Sequence, residues 1–448
     1  MLPAGLSPLR HRPFALFWSA GAASDIGTWV QLAAIGSLVA VSSGSAFATG
    51  MVAAATFAPQ GICSPIGGLL ADRFERRRTF LATLGAQAVI TTIIAIAIAS
   101  GLRNPLSLSA LVLLQSSAGA LGGPSLQAIL PDLVPEEELT AAVALGITSW
   151  NSGRVIGPLV ATALVPFGSH WAVAANGISF AVLWVAILAF RRQFHPAAPN
   201  WISVPAELRS GMRALRRSRG CLAAMASIVS IHLILVPFMG LIPSTSRALL
   251  GRSGAAISDS SVTSITARLL SAQGIGAIVG SLLVANLVRR VRRSSLVTVA
   301  LTAASVLVAV HQYMPGWAAT AAIIFVMGSC VAVTQSVLGG VVQRDASVEH
   351  RGRILSWYQG TNGLAYGVGL LGMGVASDHF GLRATFVASG VVTLVLIVLV
   401  RRSAVWADAI DGHPEVAPHA DTAAESESEV EGTRLAGSEQ MLAGTVQT

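Results

Sequence analysis

The chain has 448 residues, of which 53% are apolar and only 11% are charged. Soluble globular proteins carry about 25% charged residues, so this composition excludes an ordinary soluble protein and indicates an integral membrane protein. All 29 basic residues are arginines, and they are dispersed along the chain, which argues against a nucleic-acid-binding domain. The three cysteines lie far apart without a histidine cluster, so neither a disulfide framework nor a metal site is indicated, and we expect no cofactor.

A hydrocarbon core of about 30 Å needs about 20 apolar residues per helix. We divided the chain at charges, Pro/Gly turns and Ser clusters. The pattern predicts an all-α membrane protein with twelve transmembrane helices, at 16–41, 46–70, 79–101, 106–130, 140–165, 171–190, 220–243, 264–288, 295–313, 317–341, 354–377 and 384–400.

The arginines predict the orientation, because cytoplasmic loops carry an excess of basic residues. With a cytoplasmic N-terminus, 23 arginines lie on the cytoplasmic side, 4 lie in outer loops and 2 lie within spans. Both termini are therefore predicted to be cytoplasmic.

The chain divides into two halves. We predict an N-terminal six-helix half at 1–190, a cytoplasmic linker at 191–219, a C-terminal six-helix half at 220–402 and a disordered acidic tail at 403–448. The linker contains Leu208, Met212 and Leu215 at helical spacing between arginines, which indicates an amphipathic helix on the membrane surface. The pentapeptides SWNSG (149–153) and SWYQG (356–360) suggest that two parallel halves arose by duplication.

The segment GLLADRFERRR at 68–78 follows the second span, and six of the seven residues from 72 to 78 are charged. It resembles the signature loop of the major facilitator superfamily. Glu75 replaces the usual glycine and resembles the branch with the enterobactin exporter and macrolide efflux proteins. The segments HRPFALFW, LPDLVPEEELTAA, HRGRILSWYQ and DHFGLRATF resemble other parts of that branch, so the resemblance covers nearly residues 10 to 400.

By this resemblance, Asp72 faces the N-terminal end of span eleven when the transporter is open outward. A carboxylate is stabilised there by the partial positive charge of the helix end. Arg76 or Arg77 is expected to pair with Asp132. The alternative is a loop that only anchors the topology. The predicted gating loop comprises Gly68, Asp72, Arg73, Arg76, Arg77 and Asp132.

Two ionisable residues fall within predicted spans. Asp25 lies near the middle of span one, where an unpaired carboxylate is costly, so it is expected to carry a proton, contact substrate or be held by Ser24 or backbone amides. Arg154 in span five is its obvious counter-charge. Alternatively, Arg154 binds an anionic group of the substrate or extends to the outer interface.

The segment GRVIGP in span five places Gly153, Gly157 and Pro158 close together, which favours tight helix packing. It resembles the antiporter motif of the superfamily, but Ala161 and Thr162 replace the usual glycine pair. Further polar residues are candidates for a central cavity or for helix–helix hydrogen bonds. The predicted proton and substrate site comprises Asp25, Arg154, Trp29, Asn151, Gln127, Gln335, Gln359 and Asn362.

The resemblance implies a monomeric transporter of the bacterial cytoplasmic membrane that exports a small organic compound, such as a drug, antibiotic or siderophore. Alternating access and coupling to the proton gradient are expected. The alternatives are an importer of a metabolite and a membrane sensor that signals through its tail. An enzyme is disfavoured, because the sequence shows no nucleophile–base pair, paired carboxylates or metal ligands.

Overall fold

The computed structural model describes residues 4–189, 212–213, 215–346, 351–402 and 404–412, whose regular structure is helical. The α-helices before residue 190 are α1 (Arg12–Ser43), α2 (Ala46–Phe57), α3 (Pro59–Arg73), α4 (Arg76–Ala99), α5 (Pro105–Ile129), α6 (Leu139–Leu164) and α7 (Ser169–Leu188). Those after residue 218 are α8 (Arg219–Ile234), α9 (Ile242–Ser253), α10 (Asp259–Arg290), α11 (Arg293–Val310), α12 (Trp317–Asp345), α13 (Arg351–Arg401) and α14 (Ala404–Asp411).

Ten helical segments of the described residues are long and apolar enough to cross a membrane, so the chain is an all-α, multi-pass membrane protein. The predicted span 140–165 corresponds to α6, a helix of 26 residues that is less apolar than the others. The predicted spans 354–377 and 384–400 correspond to the two parts of α13. These parts meet at Gly381, whose φ of 81° and ψ of 152° are not helical.

Local sequence explains where several helices begin and end. Gly44, with φ of 68°, ends α1 in the left-handed conformation that glycine adopts without strain. The Ser45 hydroxyl then accepts a hydrogen bond from Ala48 N at 3.0 Å and begins α2. Asn104 begins α5 in the same way, with its side-chain oxygen 2.9 Å from Leu106 N.

Two predicted spans are interrupted helices. The span predicted at 46–70 consists of α2 and α3, which divide at Ala58 because Pro59 begins the next helix. The span predicted at 220–243 consists of α8, a 3₁₀ turn at Val236–Met239 and α9, and it continues to Ser253. Arg247 and Arg252, two of the four arginines that the sequence places in outer loops, both lie in the helix α9.

The tail begins with ordered structure, so the prediction of disorder from residue 403 is wrong for α14. The Asp411 carboxylate accepts hydrogen bonds from Ser294 N at 2.8 Å and from the Ser294 hydroxyl at 2.7 Å, at the start of α11. Trp406 Nε1 donates to the Ser227 hydroxyl at 3.0 Å. The remaining tail and most of the linker with its predicted amphipathic helix lie outside the described residues, and their assignments stay predictions.

We call residues 4–189 the N-terminal half and residues 219–402 the C-terminal half. Within the N-terminal half, α1 packs between α6 and α7, and α4 packs between α5 and α7. Within the C-terminal half, α10 packs against α12 at glycines, where a Cβ at Gly328 would collide with the Gln273 carbonyl oxygen. The two halves meet where α2 and α3 contact α13 and where α6 and α1 contact α10.

The contact of α2 and α3 with α13 depends on glycines. A Cβ at Gly374 would lie 2.7 Å from the Phe47 Cα, and a Cβ at Gly50 would lie 2.7 Å from the Leu370 carbonyl oxygen. Farther along, a Cβ at Gly61 would lie 2.5 Å from the carbonyl oxygen of Gly360. The backbones of the two halves therefore touch from the α2 N-terminus down to Gly61.

Candidate functional site

Asp25 lies where α1 and α6 pack closely together. Its carboxylate accepts a hydrogen bond from the Ser149 hydroxyl of α6. A Cβ at Gly153 would lie 3.0 Å from the Asp25 carbonyl carbon, and one at Gly157 would lie 2.5 Å from the Trp29 Cβ. The glycines of GRVIGP therefore bring α6 against α1, and the buried Pro158 follows them without ending the helix.

Arg154 lies beside this contact but forms no ion pair with any described residue. Its guanidinium carbon lies 5.1 Å from the centroid of the Trp29 ring, and its Nε is buried without a hydrogen-bond partner. The expected ion pair between Asp25 and Arg154 is not formed in this conformation, since the Asp25 side chain contacts Ser149. Placing an arginine at the bilayer centre costs about 3 kcal/mol, and a cation–π contact returns only about 1 kcal/mol.

Aromatic rings extend from Arg154 across the boundary between the halves. The Trp29 ring lies 5.5 Å from the Trp150 ring and 6.5 Å from the Phe57 ring, measured between centroids. The Phe57 ring in turn lies 5.3 Å from the Tyr366 ring of α13. Arg154, Trp29, Trp150, Phe57 and Tyr366 form what we call the central cluster, and its members come from both halves.

A polar pair in the C-terminal half adjoins the central cluster. The His232 ring lies 6.1 Å from the Tyr366 ring, and its Nδ1 lies 2.9 Å from the Ile228 carbonyl oxygen. Because only a protonated nitrogen can donate to a carbonyl, Nδ1 carries the hydrogen and Nε2 accepts from the Gln335 amide at 3.0 Å. Gln335 was a predicted site residue, whereas His232 was missed, since nothing distinguishes a lone histidine in an apolar span.

The structure separates the other polar candidates. Asn151 and Asn362 are partly buried, while Gln127 near the end of α5 and Gln359 near the start of α13 are exposed. The Gln31 amide nitrogen donates to the Gln115 side-chain oxygen at 2.6 Å. These two amides hold α1 and α5 together inside the N-terminal half.

The arginines of the predicted gating loop contact the ends of neighbouring helices. Arg76 donates to the Ala128 carbonyl at 3.2 Å, and Arg77 donates to the Leu188 carbonyl at 2.9 Å. Cations are stabilised at helix C-termini, so these contacts fix the loop to α5 and α7. Arg73 is exposed, and the pairing of either arginine with Asp132 stays a prediction.

Asp72 is exposed and forms no hydrogen bond or ion pair with the described residues. Gly61, where α3 touches α13, lies eleven residues before Asp72, which is about 16 Å along the helix at 1.5 Å per residue. Gly68 likewise has open space where a Cβ would be, whereas a Cβ at Gly67 would collide with the Leu121 carbonyl oxygen of α5. In this conformation, the steric requirement for glycine therefore lies at Gly67.

At the opposite end of the contact between α2, α3 and α13, the two halves are joined by Asp378. Sequence reasoning missed this residue. The Asp378 carboxylate accepts hydrogen bonds from the Ser45 hydroxyl at 2.5 Å, from Ala46 N at 2.6 Å and from Phe47 N at 3.2 Å. These donors lie at the N-terminus of α2, where unpaired N–H groups favour an anion. We call this set of contacts the Asp378 latch.

The sequence did contain a signal for this residue. Gly68, Asp72 and Phe74 have the same spacing as Gly374, Asp378 and Phe380. Each aspartate lies near the C-terminal end of one helix segment of the antiparallel pair, and in this structure Asp378 contacts the N-terminus of the other helix whereas Asp72 does not. The two segments therefore place equivalent carboxylates at opposite ends of the molecule.

Further polar contacts lie at the two ends of the molecule. At the Asp378 end, Arg103 of the N-terminal half pairs with Asp259 of the C-terminal half at 2.9 Å. At the Asp72 end, His11 and Glu138 of the N-terminal half form a hydrogen bond at 3.0 Å. The described contacts that join the two halves thus include an ion pair and the Asp378 latch at the same end of the molecule.

Comparison with known proteins identifies the family. The family model described as transmembrane secretion effector matches residues 3–430. The chain belongs to this family of the major facilitator superfamily. It is a membrane transporter, not an enzyme.

Characterised relatives of the transporter have names that refer to export. It is 24% identical over 402 residues to macrolide efflux protein A of Streptococcus pyogenes, covering 86% of this chain and 94% of the relative. It is 26% identical over 319 residues to the enterobactin exporter EntS of Salmonella choleraesuis, covering 68% and 72% of the two chains. The resemblance in the sequence to an efflux branch is confirmed.

Solved structures confirm the transporter's fold. The nucleoside transporter NupG matches with a TM-score of 0.70 at 13% identity, covering 86% of this chain and 98% of that one. A bacterial homologue of the human lysosomal transporter Spinster, inward-facing and unoccupied, matches with a TM-score of 0.68 at 13% identity, covering 90% and 97%. At these identities, the similarity establishes the fold alone.

The glycine contact between α1 and α6 yields a matched pair of variants. Gly157→Ala should lower the thermal unfolding temperature of the detergent-solubilised transporter, because the new Cβ collides with Trp29; overpacking typically costs about 1–3 kcal/mol. Gly146→Ala in the same helix should leave it unchanged or raise it, since nothing lies within 4 Å of that Cβ. Equal unfolding temperatures for the two variants would contradict a packing role for Gly157.

Proposed function

We propose that the transporter is a monomeric, secondary-active exporter of a small organic compound, such as a drug, antibiotic or siderophore, in a bacterial cytoplasmic membrane. Its membership of the transmembrane secretion effector family supports export, as do the names of its relatives. The observation that carries the proposed mechanism is the Asp378 latch at one end of the molecule and the exposed Asp72 at the other.

We propose twelve transmembrane helices with both termini in the cytoplasm. Ten apolar segments, α6 and the division of α13 at Gly381 together support this number. The arginine distribution supports the orientation, since 23 of 29 arginines fall in the segments predicted to be cytoplasmic, among them the loop that contains Asp72. The Asp378 end is then the outer end.

With this orientation, we propose that the structure represents an inward-facing conformation, because the Asp378 latch joins the halves at the outer end. The proposed transport cycle opens the Asp378 latch and brings Asp72 to the N-terminus of α13, so that the halves separate at the outer end instead. Each aspartate then stabilises one of two alternative conformations by the same interaction with a helix N-terminus. The central cluster lies between the ends and is exposed to each side in turn.

Asp25 is the proposed proton-coupling residue. It lies about 20 Å along α1 from Arg12 at 1.5 Å per residue, beside the α6 glycines. Its partner Ser149 donates to the ionised carboxylate and accepts from the protonated one, so the hydrogen bond persists in both states. When the Asp25 carboxyl becomes accessible from the other side of the membrane, it can then gain or lose a proton.

Transport measurements test the proposed direction and substrate class. Inverted inner-membrane vesicles containing the transporter should accumulate at least one compound from a panel of siderophores and antibiotics when a proton gradient is imposed. Vesicles without the transporter control for other exporters. Accumulation only in right-side-out vesicles would contradict export and favour the importer alternative.

The coupling role of Asp25 has its own test. Asp25→Asn should abolish the stimulation of transport by a pH gradient while leaving gradient-free exchange of substrate intact, because the amide cannot carry a proton between sides. The control is Glu137→Gln, which removes an exposed acid before α6. Unchanged pH dependence in Asp25→Asn would remove this residue from the coupling mechanism.

The two aspartates should shift the conformational equilibrium in opposite directions. In a cysteine-free background, Ser37→Cys reports on the buried contact with Thr266 between the halves. Asp378→Ala should raise its labelling by an impermeant maleimide from outside, and Asp72→Ala should lower it. A carboxylate–helix contact of about 1 kcal/mol predicts roughly fivefold changes. Changes in the same direction for both variants would contradict alternating access through these two contacts.

A further inference from the structure

Arg154 connects the two halves without a counter-charge. Its guanidinium lies over the ring of Trp29, and its stem packs on α10, where a Cβ at Gly274 would lie 3.4 Å from the Arg154 Cγ. The side chain therefore lies where α1 and α6 of one half meet α10 of the other. A bound group at this position contacts both halves.

The described acids do not neutralise this guanidinium. Asp25, the acid within the predicted span of α1, interacts with Ser149. Asp72, Asp259 and Asp378 lie at the two ends of the molecule. The buried Nε of Arg154 has no hydrogen-bond partner, so a donor of the guanidinium is left for a group that the protein itself does not supply.

The surroundings of Arg154 fit a flat apolar group. Trp29 is 3% exposed and Tyr366 is 9% exposed, so they form the buried base of the central cluster. Trp150, Phe57 and Arg154 itself retain accessible surface. A planar ring that enters between these side chains would gain edge or face contacts with the aromatic rings while its acidic group meets the guanidinium.

We infer that Arg154 and the central cluster bind an organic anion in which an acidic group is attached to an aromatic ring, such as an aromatic carboxylate. This inference rests on the proposed function and narrows its substrate class from small organic compounds in general to aromatic organic anions. A guanidinium forms paired hydrogen bonds with a carboxylate and repels a cation. The exporter therefore selects its substrate by charge as well as by shape.

Binding measurements on the purified full-length transporter test this inference without requiring transport. The probes are naphthalene-2-carboxylate and naphthalene-2-carboxamide, which share a ring and differ in charge. By isothermal titration calorimetry at pH 7, the unmodified transporter should bind the carboxylate at least tenfold more tightly than the amide. Arg154→Gln should weaken carboxylate binding at least tenfold and leave amide binding unchanged, and Arg154→Lys should give an intermediate preference.

A matched control separates this role from a general effect of removing an arginine. Arg268 also lies over a tryptophan ring, 4.4 Å from the Trp317 centroid, but outside the central cluster. Arg268→Gln should keep the preference for the carboxylate. Circular dichroism and gel filtration identify any variant that fails to fold. If Arg154→Gln does not fold, the test is whether Arg154→Lys reduces the preference for the carboxylate over the amide.

Three results would overturn the inference: no carboxylate binding to the unmodified transporter, equal binding of both probes, or a preference that survives Arg154→Gln. If Asp25→Asn alters the preference as strongly as Arg154→Gln, the arginine serves as the partner of Asp25 and the inference also fails. Failure of export in vesicles with an intact carboxylate preference would instead refute the proposed direction of transport and retain the binding site.

Discussion

The glycine-lined contact of α2 and α3 with α13 is the constraint on which the rest of the structure depends. Backbone atoms of the two halves approach so closely at Gly374, Gly50 and Gly61 that a Cβ at any of these three positions would collide with the other half. Because the helices are antiparallel, the N-terminus of each helix and the C-terminal end of the other belong to the same end of the molecule. An aspartate at each of these ends, Asp378 and Asp72, thus lies where it can interact with a helix N-terminus.

Most of the buried polar groups discussed above have a hydrogen-bonding partner within the N-terminal half, and Arg154 differs from them. Inside the N-terminal half, amides such as Gln31 and Gln115 satisfy each other, as buried polar groups must in a membrane. Asp25 is satisfied by Ser149 on the neighbouring helix. Arg154 alone among these residues keeps an unmatched charge, and it does so at the boundary between the halves. The polar side chains that satisfy one another inside the N-terminal half therefore lie apart from Arg154, the residue that we propose binds substrate.

Sequence reasoning predicted the apolar helical segments, because hydrophobic length is a property of each segment alone. It failed on the Asp25–Arg154 pair for a geometric reason. The helices α1 and α6 run in the same direction with Ser149 beside Asp25, and Arg154 lies five residues farther along α6, beside Trp29. Five residues span about 7.5 Å, which is finer than the depth that a single sequence assigns to a residue. Asp378 was missed because its segment lacks the run of arginines that follows Asp72.

Paired distance measurements at both ends test the reciprocal movement most directly. Spin labels at Phe167→Cys and Ala255→Cys report on the Asp378 end, and labels at Glu137→Cys and Arg290→Cys report on the Asp72 end; these native residues are exposed. In a background without the three native cysteines, pulsed electron resonance across pH should show that one distance lengthens whenever the other shortens. Distances that change independently, or an Asp378 end that never opens, would contradict the account.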